Sequence, residues 1–544
     1  MTAQETVGEA IARALRAAGA DRAFLVPGES YLPVLEGMRA HGLEAVVCRN
    51  EGGASYMALA DAVLTGRPGL AMVTRGPGAA NAMVGVSAAW QDGVPMILLV
   101  GLVATEERDR FSFQEFDLRG WYGTTSKRVL VLDAPGRAHA VVEEALRIAT
   151  SGRPGPVVIG LPEDVLSARV DVRDPDPAPI VSSGPDPVAV LEAAQVLEGA
   201  ERPLVLVGGS RWTARASTDL ARFAERHSIP ALGGFRAGDR LPSTSPANAG
   251  WIGFGAPQEA WRLLADADAL LVIGTTLGDV ATRGWSLEPP RATAVIGPDP
   301  ELRGHISPPL RQVVGDPVRA LAILADADIA AGDGWAGRLP EIHEAYLRSL
   351  RPAPPGDRRP EDPVRVAEVI GALNDRLEEE VTVAYGAGQH CLWPQRFIPK
   401  GPFPSEIGLQ NGSMGYSVPA AVAASLRQPD RLVVCVAGDG ELLMNGQELA
   451  TAAQYGASML LIVIDNGSYG TIRDHQERFF PGRRFAVDLR NPDFVAYARA
   501  FGGEAFRVER SGEVASAVAG ALAAARAGSI GVVHVLADEL DNGE

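Results

Sequence analysis

Cysteine is nearly missing: Cys48, Cys391 and Cys435 are the only three in 544 residues. They are too few and too scattered for a disulfide framework or a CxxC metal clasp, so the chain reads as one built for a reducing compartment. Positive charge is also short. Fifty basic against 67 acidic side chains leave a formal net charge of −17, which repels nucleic-acid phosphates and anionic lipid over most of a surface. Neither a nucleic-acid partner nor a membrane partner is expected. No apolar run approaches the ~18 residues of a membrane-spanning helix, and residues 1–19 carry acidic side chains where a secretory signal would be basic and then apolar. A cytoplasmic protein is expected. Sixty-one Gly and 40 Pro stay below the low-complexity range, which excludes disordered and collagen-like chains. P-loop, HExxH and GxSxG signatures are lacking, which removes the NTPase, zincin and α/β-hydrolase readings.

What is present is a repeated α/β pattern. At ~150 residues per domain the length allows three or four domains. Two proline-rich, charged, apolar-poor stretches, residues 171–187 and 351–363, have the composition of linkers. They bound domains at 1–170, 188–350 and 364–544. In the first, AFLV (23–26), AVV (45–47), LAMVT (70–74) and MILLV (96–100) alternate with helix-length segments. The middle repeats this with PLVLVGG (203–209) and ALLVIG (269–274). VTVAYG (381–386), RLVVCVAGDG (431–440), MLLIVIDN (459–466) and GVVHVL (531–536) follow in the last. Three doubly wound parallel-sheet domains are predicted, the outer two with similar element order.

The densest chemistry lies in the last third. A strand over 431–437 runs into Gly438-Asp439-Gly440, a loop ELLMNG, a helix QELATAAQYG and a strand ending at Asn466. In one right-handed βαβ unit, Asp439 and Asn466 emerge at the carboxyl ends of neighbouring parallel strands, where such sheets bind ligands. A carboxylate and an amide suit Mg²⁺, which takes few protein ligands and completes its octahedron with water and phosphate oxygens. The flanking glycines let a diphosphate approach the backbone closely. Gly332-Asp333-Gly334 repeats the triplet without a preceding strand or a matching Asn, and reads as a plain turn.

A GDG triplet followed by Asn 27 positions after its Asp resembles the thiamin diphosphate motif. Over nearly all its length the chain resembles the thiamin diphosphate enzymes of the acetolactate synthase and benzoylformate decarboxylase type. The resemblance implies a pyrimidine-binding first domain, a Rossmann-like middle domain and a last domain that binds diphosphate and Mg²⁺. It implies Asp439, Asn466 and the Ser468 carbonyl as metal ligands, with Gly440 beside them. Gln389 and His390 in YGAGQHCLW match the diphosphate-contacting pair. In NGSMGYSVPAA, Met414 matches the support for the folded cofactor, and the Gly412 carbonyl matches the acceptor for its 4'-amino group.

Glu51 opens the helix EGGASYMALADAVL after a strand. On its own it reads as an acid complementing the helix dipole. RNEGGASYMA, however, resembles the segment whose Glu hydrogen-bonds N1' of the aminopyrimidine, and a carboxyl in an apolar interface can share a proton there. Pro27, Gly28, Thr74, Pro77 and Asn81 match cofactor-contacting positions, as does Gln114, which is also a catalytic candidate. Glu29 is either an exposed turn carboxylate or an acid/base. Phe111, Phe113, Gln114, Tyr469, Ile472 and His475 are candidates for the acceptor pocket or for plain core, and Arg473 reads as a solvated helix face.

Three departures stand out. TTLGDVATRGW (275–285) replaces the Arg-Phe-Asp-Asp-Arg segment of flavin-carrying acetolactate synthases, so FAD is not expected. Asn466-Gly467 stands where many relatives have Asn-Asn. The sequence also ends soon after 531–536, without the long C-terminal arm, so closure over substrate is expected to differ. The implied activity is decarboxylation of a 2-keto acid and transfer of the acyl carbanion equivalent to a second carbonyl. The assembly implied is a homodimer or homotetramer with active sites between subunits. The alternatives are simple decarboxylation of the benzoylformate decarboxylase type, or a non-catalytic nucleotide-binding scaffold using VGGS (207–210).

Overall fold

The computed structural model describes residues 3–173, 183–330, 335, 337–352, 357–378 and 380–538. The chain forms two compact units, Met1–Ser182 and Ser183–Glu544. The control triplet at 332–334 and the linker segments 174–182 and 353–356 lie outside the described residues.

The first unit contains β1 (Gln4–Thr6), β2 (Arg22–Leu25), β3 (Glu44–Val47), β4 (Gly69–Thr74), β5 (Met96–Leu102), β6 (Arg128–Val131), β7 (Pro156–Pro162) and β8 (Arg169–Asp171). β1 and β8 pair antiparallel, and the other six form a parallel sheet in the order β3-β2-β4-β5-β7-β6. Its central strands are apolar at nearly every position because helices cover both faces. The packing is close: a Cβ on Gly69 would meet the Ala58 carbonyl of the helix Glu51–Thr65 at 1.8 Å. The helix Val7–Ala17 starts on a capping box in which the Thr6 side chain accepts from Glu9 N and the Glu9 carboxylate accepts from Thr6 N.

The second unit carries two sheets. The first is built from β9 (Pro203–Val207), β10 (Ala231–Gly233), β11 (Asn248–Trp251), β12 (Ala269–Ile273), β13 (Ala292–Gly297) and β14 (Arg311–Val314). The second is built from β15 (Val381–Tyr385), β16 (Glu406–Gly408), β17 (Leu432–Gly438), β18 (Met459–Asp465), β19 (Glu504–Val508) and β20 (Ile530–Leu536). Both are wholly parallel. The first has the order β11-β10-β9-β12-β13-β14, the Rossmann order. The second, β16-β15-β17-β18-β20-β19, repeats the strand order of the first unit's sheet.

Buried charge ties these two sheets into one unit. Asp239 is fully buried, pairs with Arg240, and accepts from the backbone N–H groups of Ser405 (2.9 Å) and Glu406 (3.1 Å) at the edge strand β16. Glu406 in turn accepts from Gly238 N at 2.8 Å and Tyr385 Oη at 2.5 Å, and pairs with Lys400 at 3.5 Å. Burial pushes the Asp239 carboxyl up, against the pull of Arg240.

Candidate functional site

The order of the last sheet reverses between β15 and β17, the position at which open α/β sheets bind ligands beyond their carboxyl ends. Three strand ends build a cavity of about 220 Å³ there. After β15 the chain passes through Gly386 and Gly388 into a short turn of helix at Gln389–Cys391. Gly388 has φ +139°, and a Cβ on Gly386 would lie 1.5 Å from Glu441 Oε1, so neither position accepts a side chain. After β17, Asp439 is the first residue of the helix Asp439–Asn445. The loop expected over 441–446 is therefore largely helical, since ELLMN continues the turn that Asp439 begins. After β18 come Asn466, Gly467 and Ser468, pinned by Leu489 N to Gly467 O (2.7 Å) and Tyr469 N to Val487 O (2.8 Å).

The last-third positions assigned to cofactor and metal from sequence line this cavity: Gln389, His390, Gly412, Met414, Asp439, Gly440, Asn466 and Ser468. Asp439 is 4 % exposed. Its Oδ2 accepts from Asn491 Nδ2 at 2.7 Å, and the same nitrogen donates to Asp465 Oδ1 at 2.8 Å. Burial pushes the Asp439 carboxyl up to about 6; the Asn491 bond opposes this, and the charge of Asp465 adds to it. Asp465 is held low despite its burial by hydrogen bonds from His534 (2.9 Å) and Asn491. Asn466 Oδ1 accepts from Ser468 N at 3.1 Å, and Ser468 Oγ is buried without a hydrogen-bond partner. Among the described residues no Lys or Arg pairs with Asp439. A buried carboxylate lacking a cationic partner, an amide oxygen and an orphaned hydroxyl on one cavity fit a divalent cation.

The other wall fits an anion. His390 Nε2 lies 2.6 Å from Glu441 Oε2 and 3.3 Å from Cys391 Sγ. Burial alone would lower the imidazole, but Cys391 and Glu441 outweigh it and push His390 up to about 10. Glu441 Oε1 accepts from Gly415 N (3.1 Å) and Ser417 N (3.3 Å), which fastens the Gly412–Met414 loop to the helix carrying Asp439. Gln389 Nε2 donates to Asp474.

Sequence reasoning missed Glu441, Asp465, Asn491 and His534. Glu441 sits two residues after Asp439 in a stretch read as loop. Asn491 and His534 come from distant segments with no spacing signal. Arg473 is not on a solvated face: it is 8 % exposed and donates Nε and Nη2 to Asp474 at 3.2 and 3.1 Å. Tyr469 and Ile472 line the cavity, whereas His475 stacks on Phe479, centroids 6.2 Å apart.

In the first unit the assigned residues gather at the equivalent sheet edge. Pro27 and Gly28 follow β2, Glu51 follows β3, and Thr74 ends β4. A Cβ on Gly28 would meet Thr74 Cβ at 2.4 Å, so glycine is required there. Glu51 is half-buried; its Oε2 accepts from Asn81 Nδ2 at 2.9 Å, and its charge, after burial, helps push the Tyr31 phenol up. Gly76, Pro77 and Gly78 lie in the first turn of the helix Arg75–Asp92. The Gln114 carbonyl accepts from Gly76 N at 3.0 Å, which lays its loop on that helix. Glu29 is exposed and pairs with Arg75 at 3.1 Å. Phe111 and Phe113 are exposed and are not core.

Three parallel sheets, two of them of one topology, with a cavity lined by a buried carboxylate, an amide and an imidazole at a switch point, define a ligand-binding protein of the open α/β class. Residues 5–120, 190–324 and 386–535 match the N-terminal TPP binding, central and C-terminal TPP binding domains of the thiamine pyrophosphate enzymes. The acetolactate synthase large subunit of Parasynechococcus marenigrum is 32% identical over 519 residues, covering 92% of this chain and 82% of that protein. That of Corynebacterium glutamicum is 32% identical over 532 residues, 94% and 84% of the two chains. The isozyme 2 large subunit of Escherichia coli is 29% identical over 539 residues, 98% and 95%. The chain belongs to the thiamine pyrophosphate enzymes of the acetolactate synthase type. It is a thiamin diphosphate-dependent enzyme.

Proposed function

We propose that this enzyme decarboxylates a 2-keto acid and transfers the acyl carbanion equivalent to a second carbonyl, with thiamin diphosphate and Mg²⁺ bound. The observation that carries the reading is the convergence of Asp439, Asn466, Ser468, Gln389, His390, Gly412 and Met414 on one cavity. Bound thiamin diphosphate supplies a carbon nucleophile and an electron sink, and the protein supplies orientation and electrostatics.

Asp439, Asn466 and the Ser468 carbonyl hold the cation. A cation beside Asp439 favours the carboxylate and so offsets the burial that raises its pKa. His390, paired with Glu441, and Gln389 would face the diphosphate. The Gly412 carbonyl and Met414 position the rest of the cofactor. At the first sheet's edge, Glu51 holds a proton for N1' of the aminopyrimidine, and the Asn81 amide orients its carboxylate. Pro27, Gly28, Thr74, Pro77 and Gln114 shape the surroundings. Glu29 is an acid/base only if Arg75 releases it.

The middle domain, with its altered segment at 275–285, is read as carrying no FAD. Active sites between subunits of a homodimer or homotetramer, domain limits at 170/188 and 350/364, and a cytoplasmic location belong to the same proposal. Among the described residues no helix is long and apolar enough to cross a membrane. A panel of 2-keto acids, read for CO₂ release and condensed products together, tests the reading. Stoichiometric CO₂ with a condensed hydroxyketone or hydroxy-keto acid supports it; CO₂ with only simple aldehyde overturns the transfer step.

A further inference from the structure

Behind Asp439 lies a chain of hydrogen bonds whose order implies a role. His534 Nε2 donates to Asp465 Oδ2 at 2.9 Å. Asp465 Oδ1 accepts from Gly467 N at 3.1 Å and from Asn491 Nδ2 at 2.8 Å. The second hydrogen of that nitrogen goes to Asp439 Oδ2 at 2.7 Å. One neutral amide therefore spans two carboxylates, Asp439 at 4 % and Asp465 at 7 % exposed. Asn491 is itself fixed from both sides. The chain before it is tied by Leu489 N to Gly467 O at 2.7 Å, and the chain after it by Asp493, whose Oδ1 accepts from Val495 N at 2.9 Å and Ala496 N at 3.1 Å.

A lysine or arginine between the two acids would neutralise them and take the place of a cation. An amide cannot: it orients both and leaves their charge intact. Asp465 also braces, through Gly467 N, the turn that presents Asn466, so one carboxylate connects the two candidate cation ligands. We propose that Asn491, anchored by Asp465 and His534, is the positioning residue of the divalent-cation site, holding Oδ2 of Asp439 so that the cation is met through Oδ1. This rests on the reading of Asp439 as a cation ligand.

The test is Mn²⁺ binding by electron paramagnetic resonance at saturating thiamin diphosphate, on the full-length protein. Hydrogen-bond partners of metal ligands typically contribute 10- to 100-fold in affinity. Asn491→Leu should therefore weaken Mn²⁺ binding by about 10- to 100-fold. Asn491→Lys, which can still bridge both carboxylates, should keep the melting temperature of the metal-free protein and lose Mn²⁺ binding at least as severely. A merely structural bridge would leave Mn²⁺ affinity unchanged in a folded Asn491→Leu protein. Asp439→Ala is the control on the underlying reading. If it abolishes Mn²⁺ binding while a folded Asn491→Lys or Asn491→Leu protein binds as wild type, the positioning role is overturned alone. If Asp439→Ala binds as wild type, the cation site itself is misassigned.

Discussion

The carboxyl edges of the first and last sheets share one strand order and carry opposite chemistry. At the last sheet, two carboxylates, Asp439 and Asp465, are buried around a single amide, the His390 imidazole is paired with Glu441, and glycines clear the backbone. At the first sheet, a single half-buried acid, Glu51, has one amide contact, and the other charges there, Glu29, Arg75 and Glu163, pair with one another. Topology fixes where a ligand sits; the density of buried charge decides what part of it is held. On the proposed function, the last edge takes the metal and phosphates, and the first the aminopyrimidine ring.

Substitutions that remove the charge from one edge break the comparison most visibly. Asp439→Ala should abolish retention of thiamin diphosphate, because the diphosphate loses the ion that bridges it to the protein. Calorimetry with thiamin diphosphate and Mg²⁺ checks this, and wild-type affinity would contradict it. Next in size is Gly386→Ala, where the new Cβ falls 1.5 Å from Glu441 Oε1. Overpacking of this kind costs about 3 kcal/mol, and here it also pushes Glu441 off His390. Denaturant unfolding should show the loss, and an unchanged midpoint would mean that Glu441 has another place to go.

The smallest effect belongs to a feature away from both edges. Glu9 is held below the ordinary glutamate range, first by the Thr6 backbone N–H and then by its hydroxyl. A depressed carboxylate adds stability that is present above its unfolded pKa and lost as pH falls through its folded one. Thr6→Ala removes the capping hydroxyl and should cost about 1 kcal/mol near neutral pH; only the part carried by the Thr6 hydroxyl to Glu9 bond is lost below pH 4.5, because alanine keeps the backbone N–H that holds Glu9 low and the lost Glu9 N–H bond does not titrate. Thermal melts at the two pH values measure it, and cofactor binding should be untouched.

Long apolar runs made the central strands legible. β17 and β18 are buried almost end to end, and their sequences VVCVA and MLLIVID carry no charge before the terminal Asp. Edge strands were harder to see: β14 (RQVV) and β19 (EAFRV) mix charge with exposure and look like loop. The spacing of Asp439 and Asn466 was informative because both lie at the ends of adjacent strands, β17 and β18. Asn491 escaped because it reaches Asp439 across 52 residues through a non-regular segment. Asp239 escaped because nothing local marks it as the buried tie between two sheets. The residues of the first unit proposed to face the cofactor were assigned only through family resemblance, since a helix-opening acid such as Glu51 has an ordinary structural explanation.

The division of labour between the two edges is tested most directly by Glu51→Gln, which keeps the size of the side chain and removes only the shared proton. An acid that merely complements a helix dipole contributes ~0.3 to 1 kcal/mol to folding and nothing to chemistry. Removing a general acid/base slows the step it serves by ~10² to 10⁴. In one experiment, Mg²⁺-dependent binding of thiamin diphosphate is measured by calorimetry and exchange of its C2 hydrogen for deuterium by quenched NMR. Glu51→Gln should bind as wild type and exchange slower by at least ~10². Exchange at the wild-type rate would make Glu51 structural and contradict the account.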